Sequence, residues 1–220
     1  MIPDGARVGP GAILSAGTKE EDMVTDHTLG RRLGAAYLFV VAASLGAGLL
    51  AQAHLSGPID DVLTGLARDP GPARWTAVIE VGATAVGIVV LATLLHAVVR
   101  HHSAVAARVA LGLWLLEAAF MAVGAVGTLV LVHLVDVGTA TTAAGTALVG
   151  LHDTAHAVHM LFFAMGGLIW YALMYGAGTV PRWLAGFGIA AVGLALVSTV
   201  AGMAGMELNQ IAFGLPTGVF

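Results

Sequence analysis

Three imidazoles recur at His152, His156 and His159, spaced by four residues and then three. On a helix turning 100° per residue, that spacing gathers them within an arc of about 60° on one face. The same face continues through Phe163, Gly166, Gly167 and Trp170. Two carboxylates, Glu80 and Glu117, interrupt other apolar runs. Histidines four apart on one face offer two nitrogen ligands to one divalent ion, and a carboxylate from a neighbouring helix completes the shell. Imidazole also titrates near neutral pH, so the same groups suit proton transfer. Zinc or copper would be the expected metal, since Met203 and Met206 supply thioethers that favour Cu(I). Methionine in an apolar run is more commonly plain packing. Haem fits less well, because His54 and His133 stand at the ends of apolar runs and His96 lies towards the opposite end, which leaves no second axial ligand at matching depth.

The elements that must position these groups are membrane spans. The chain has 220 residues, of which 58% are hydrophobic and 10% charged, and its mean hydropathy is +0.92. Soluble domains carry about 25% charged residues, so this chain cannot cover a globule with polar groups. The same hydrophobicity excludes disorder of the whole chain. With no cysteine, disulfides, zinc–thiolate sites, cysteine nucleophiles and iron–sulfur ligation are excluded. Nucleic-acid binding is excluded by a net charge of -4 and nine scattered Lys and Arg.

A helical span needs about 20 mostly apolar residues. Five stretches qualify, at 33–55, 75–99, 109–134, 151–175 and 183–206. None alternates as a barrel strand would, and in lipid only helices or closed barrels satisfy every backbone group. The fold class expected is therefore an all-α polytopic transmembrane bundle. A partial sixth run at 211–220 is too short to cross alone and reads as the start of a sixth helix. Residues 1–28 lack the arrangement of a secretory signal and read as a disordered cytoplasmic tail. The segment 58–68 is weakly amphipathic and is expected to lie on the outer surface as a short interfacial helix. Paired small residues, such as Gly124 with Gly127 and Gly166 with Gly167, suit close helix packing.

Orientation follows from the arginines and lysines. With the N-terminus inside, Arg7, Lys19, Arg31, Arg32, Arg100, Arg108 and Arg182 collect on the inner side and Arg68 and Arg74 on the outer. The histidines then belong to the outer half, following a polar loop at 136–150. Counted at 1.5 Å per residue, their rings are expected about 1.5, 8 and 12 Å below Leu151. Glu80 is level with His156, and Glu117 slightly deeper than His159. An ionisable group at mid-bilayer costs about 3 kcal/mol on insertion scales, so such groups tend to face the bundle interior and find partners. Histidines near the membrane boundary also have a plainer explanation, as interfacial polar groups with access to water. Glu207 and Asn209 follow the fifth span on the same side.

At this point a family pattern emerges. The chain runs Leu151-His152, then Phe162-Phe163, then Pro181-Arg182-Trp183-Leu184. Upstream it carries Arg31, Gly34, Tyr37 and Leu38, and in the third span Trp114, Leu115, Glu117 and Ala118. Together these resemble the bacterial domain-of-unknown-function 4386 family of multi-pass membrane proteins. The family-matched polar positions are His152, Glu117 and Arg182. Trp114 stands where the family pattern has arginine, Val180 and Ala185 replace a leucine and a glycine around the Pro-Arg turn, and His156 and His159 lie outside the pattern. The resemblance implies a six-helix bundle and no assigned activity.

The expectation is a multi-pass protein of the bacterial inner membrane, N-terminus cytoplasmic. It carries an outward-opening pocket of Glu80, Glu117, His152, His156 and His159 that binds a divalent metal or a small ligand. The lipid bilayer is its expected partner. Two further classes stay open: a zinc-dependent intramembrane lipid hydrolase, and a small-solute carrier or membrane-stress subunit.

Overall fold

The computed structural model describes the backbone of residues 10–206 and the side chains of residues 30–206. Among them there is no strand. Helix α1 covers Pro10–Leu55, and α2 covers Ile59–Arg68. Next comes one continuous rod, made of α3 (Gly71–Val78), a π-helical segment (Ile79–Ala85) and α4 (Val86–Val99). Helices α5 (Ala104–Asp136), α6 (Thr142–Ala177) and α7 (Arg182–Met203) complete the described chain. Five segments are long and apolar enough to cross a membrane: Gly30–Leu55, Gly71–Val99, Ala104–Asp136, Thr142–Ala177 and Arg182–Met203. The protein is a multi-pass helical membrane protein. The run 211–220, Glu207 and Asn209 lie outside the described residues.

Each connection has a local cause. Ser103 caps α5 by accepting from the Ala106 amide, and Thr141 caps α6 by accepting from the Ala144 amide. Gly178 closes α6 in the left-handed conformation, φ 66°, which glycine adopts at no steric cost. Pro181 follows it and starts α7.

The helices pack in a chain of neighbours. Helix α1 lies against the α3–α4 rod, the rod against α5, and α5 against α6 in the most extensive contact of the molecule. Among the described elements, helix α7 makes its substantial contact with α6 alone. Glycines set the spacing. A Cβ on Gly124 would meet Ala155 Cβ and His152 Nδ1 at 3.5 Å, so α5 and α6 meet nearly backbone to backbone there. Val192 of α7 sits over Gly167, and the Tyr171 ring over Gly188.

Two expectations change. The loop 136–150 shortens to five residues, because Thr142–Gly150 is helical and α6 begins nine residues before Leu151. Its Ala, Gly and Thr residues are compatible with helix, and the Thr141 cap fixes the start. The amphipathic segment 58–68 is helical, but its apolar face turns inward. Val62 and Leu66 are buried against Leu55, Ala73, Leu131 and Val132, and Asp60 Oδ1 accepts from Thr142 Oγ1 at 3.0 Å.

Candidate functional site

Glu80 lies within the π-helical segment, which adds a residue to one turn of an otherwise regular rod. Such bulges change the direction in which the following side chains point and recur at functional sites. Glu80 is 8% exposed, and its Oε1 lies 3.9 Å from His152 Nε2 across the interface with α6. That is too long for a direct hydrogen bond. The other ring nitrogen, Nδ1, lies 3.2 Å from Thr128 Oγ1 on α5.

This second contact holds the ring. When the Thr128 hydroxyl donates to the Gly124 carbonyl, 3.4 Å away, its oxygen accepts from His152 Nδ1–H. The neutral ring then presents the Nε2 lone pair to Glu80.

His159 is buried, and its Nε2 lies 3.1 Å from His156 Nδ1, with the two rings edge to face at 4.6 Å between centroids. His156 itself is exposed at the rim. Glu80, Phe120, Met121, Gly124, His152, His156 and His159 surround a cavity of about 20 Å³. A space of roughly 10–15 Å³ or more holds one water if it has polar partners. Glu80 Oε2 and His159 Nδ1 are buried without a hydrogen-bond partner.

Of the five residues expected to form a pocket, four therefore line one small cavity. Glu117 is equally buried, at 4% exposure, but does not line it. It stands on the same α5 face as two lining residues, Met121 and Gly124, four and seven positions earlier. Its Oε2 has no hydrogen-bond partner. The third family-matched polar position, Arg182, lies at the start of α7 with its guanidinium 5.9 Å from the centre of the Tyr175 ring. His152 stands ten residues, about 15 Å, from the start of α6 rather than at its tip.

Among the described residues, no three His, Asp or Glu side chains converge so as to hold a metal ion. His156 and His159 face each other, and His152 turns one nitrogen to Thr128, so the donor set does not fit zinc or copper. Met203 and Met206 are exposed at the end of α7 and do not line the cavity. Sequence reasoning did not single out Thr128 or Thr84. The latter is fully buried one turn beyond Glu80, with an unpartnered hydroxyl. A threonine in an apolar run carries no signal distinct from its ordinary back-bonding to the helix. Nor did it find the Arg74–Asp136 ion pair, which ties the start of α3 to the end of α5.

The family described as a domain of unknown function (DUF4386) matches residues 33–220 of the chain. No curated protein matches it, and no solved structure does.

Proposed function

The chain belongs to the DUF4386 family, and on that premise we propose that this membrane protein carries a proton-binding site within the bilayer, centred on Glu80 and His152. The observation that supports this reading is the pairing of a buried carboxyl with a buried imidazole 3.9 Å away, beside a cavity of one-water size. With the Nδ1–H tautomer directed at Thr128, the ring's free lone pair faces the acid. A water in the cavity would bridge Glu80 to His152 and reach His159, with His156 the next group of the cluster. Glu117 is the next ionisable group along the α5 face, in the direction of Ala104. On this reading the small ligand is a proton carried on one water. Its entry from the outer side rests on the seven-to-two distribution of Arg and Lys, which supports a cytoplasmic N-terminus in a bacterial inner membrane.

Proteoliposomes loaded with a pH-sensitive dye and given an external acid pulse test the site. Wild-type protein should acidify the lumen faster than protein-free vesicles, and Glu80→Gln should abolish the difference. A Glu80→Gln rate equal to wild type overturns the proposal, as does a wild-type rate equal to that of empty vesicles. Orientation is checked independently. The chain has no native cysteine, so single cysteines placed beside His133 and Arg100 report sidedness by labelling with an impermeant reagent.

The zinc-dependent hydrolase reading has no ligand set to stand on among the described residues, and no metal-activated water is derived.

A further inference from the structure

A second, much larger space lies at the other end of the bundle and has no role in the proton site. Helix α7 docks on α6 and α1 on the α3–α4 rod, so a cleft of about 960 Å³ remains between α1, α4, α6 and α7. Its walls are apolar and aromatic, with Tyr37 from α1, Trp114 from α5, and Phe163, Trp170 and Tyr171 from α6. The volume falls at the upper end of the range for small-molecule sites, about 300–1,000 Å³. From Gly30, His101 and Thr179 at its mouth, the cleft reaches inward to Trp114 and Phe163.

Among the residues with described side chains, the charge around the mouth is of one sign. Arg31, Arg32, Arg100 and Arg182 are exposed, and each lies within two residues of a residue lining the cleft. None has a carboxylate partner among the described residues. The acids whose side chains are described lie elsewhere: Asp60, Asp61, Asp69, Asp136 and Asp153 towards the opposite end, and Glu80 and Glu117 in between. Among the described residues, none lining the cleft is Lys, Arg, Asp or Glu. An occupant must therefore bury an uncharged apolar body between helices and present an anion to guanidinium groups at the surface. Basic pockets between transmembrane helices recognise lipid head groups in this way.

We propose that the α1–α4–α6–α7 cleft binds an anionic amphiphile, with its acyl portion against Tyr37, Trp114 and Trp170 and its phosphate or carboxylate at the Arg31, Arg32, Arg100 and Arg182 rim. Gly34 provides a clean obstruction. It lines the cleft, and a Cβ built there meets nothing within 4 Å, so Gly34→Phe fills the space without a clash at its base.

Native mass spectrometry of the purified full chain tests this, with phosphatidylcholine micelles containing phosphatidylglycerol in one arm and oleate in the other. Wild type should retain the anionic amphiphile over phosphatidylcholine. Retention in the phosphatidylglycerol arm alone assigns a phospholipid, in the oleate arm alone a fatty acid, and in both the shared chemistry. Arg32→Gln with Arg182→Gln should weaken retention about 25-fold, at about fivefold per charge removed. Gly34→Phe should abolish it, while Gly34→Ala, with one methyl in the same open space, should keep it. Equal retention of phosphatidylcholine by wild type overturns the proposal. So does undiminished retention by Gly34→Phe, or a photo-crosslinker at position 34 that captures residues 207–220 instead of lipid.

Discussion

Replacing Gly166 by Ala probes the contact that joins α5 to α6 beneath the cleft. A Cβ there would come within 2.7 Å of Trp114 Nε1 and 3.4 Å of Leu113 Cβ, and would also strike Trp114 Cδ1. The indole has little freedom to retreat. It donates to the Phe163 carbonyl at 3.2 Å, stacks on the Phe163 ring at 6.1 Å between centroids, and packs edge-on to Trp170 at 5.9 Å. Forcing one methyl into such a site costs about 1–3 kcal/mol. Losing the indole hydrogen bond adds about 1 kcal/mol. The helix itself gains about 1 kcal/mol from Gly→Ala, which offsets the bond. The expected net loss is about 1–3 kcal/mol, read as a shift in unfolding by SDS in mixed micelles, with tryptophan fluorescence as the signal. Gly34→Ala is the control, because its Cβ meets nothing within 4 Å, and it should be neutral or slightly stabilising. If Gly166→Ala unfolds at the same SDS fraction as Gly34→Ala, Trp114 is not wedged against α6 and the helix spacing described above is wrong.

Other consequences can be measured in the same system. Thr128→Val keeps the shape but removes the acceptor for His152 Nδ1–H, and should cost about 1 kcal/mol of stability. In ¹⁵N-histidine NMR spectra it should also abolish the preference for the Nδ1–H form; an unchanged tautomer would refute the assignment. Asp136→Asn breaks a half-exposed ion pair with Arg74, so the loss should stay below about 1 kcal/mol and shrink at high salt. A loss independent of salt would mean the pair acts through packing. Gly188→Ala places a methyl 2.7 Å from Tyr171 Cζ at the one substantial dock of α7. Hydrogen exchange should rise in α7 and leave α5 unchanged, and equal exchange in both would contradict that docking arrangement.

Composition and run length by themselves determined the class of this protein. A chain with so few charges and five long apolar runs can only be solvated by lipid, and lipid admits only structures that satisfy their own backbone. The three-histidine face was legible for the same reason, since helical periodicity is a property of the chain. Depth and direction were not. Thr142–Gly150 looks like a loop by polarity, yet Thr141 caps a helix that starts there and leaves His152 ten residues, nearly three turns, from its end. The π-helical segment at Glu80 leaves no mark on a hydropathy pattern, because it depends on which neighbours press on that turn. Tertiary packing alone brought Glu80 to His152 and Thr128, left Glu117 off the cavity wall, and kept α1 and α7 far enough apart to leave a cleft. Each of those facts is a distance between helices, and spacing along one helix carries no information about the next.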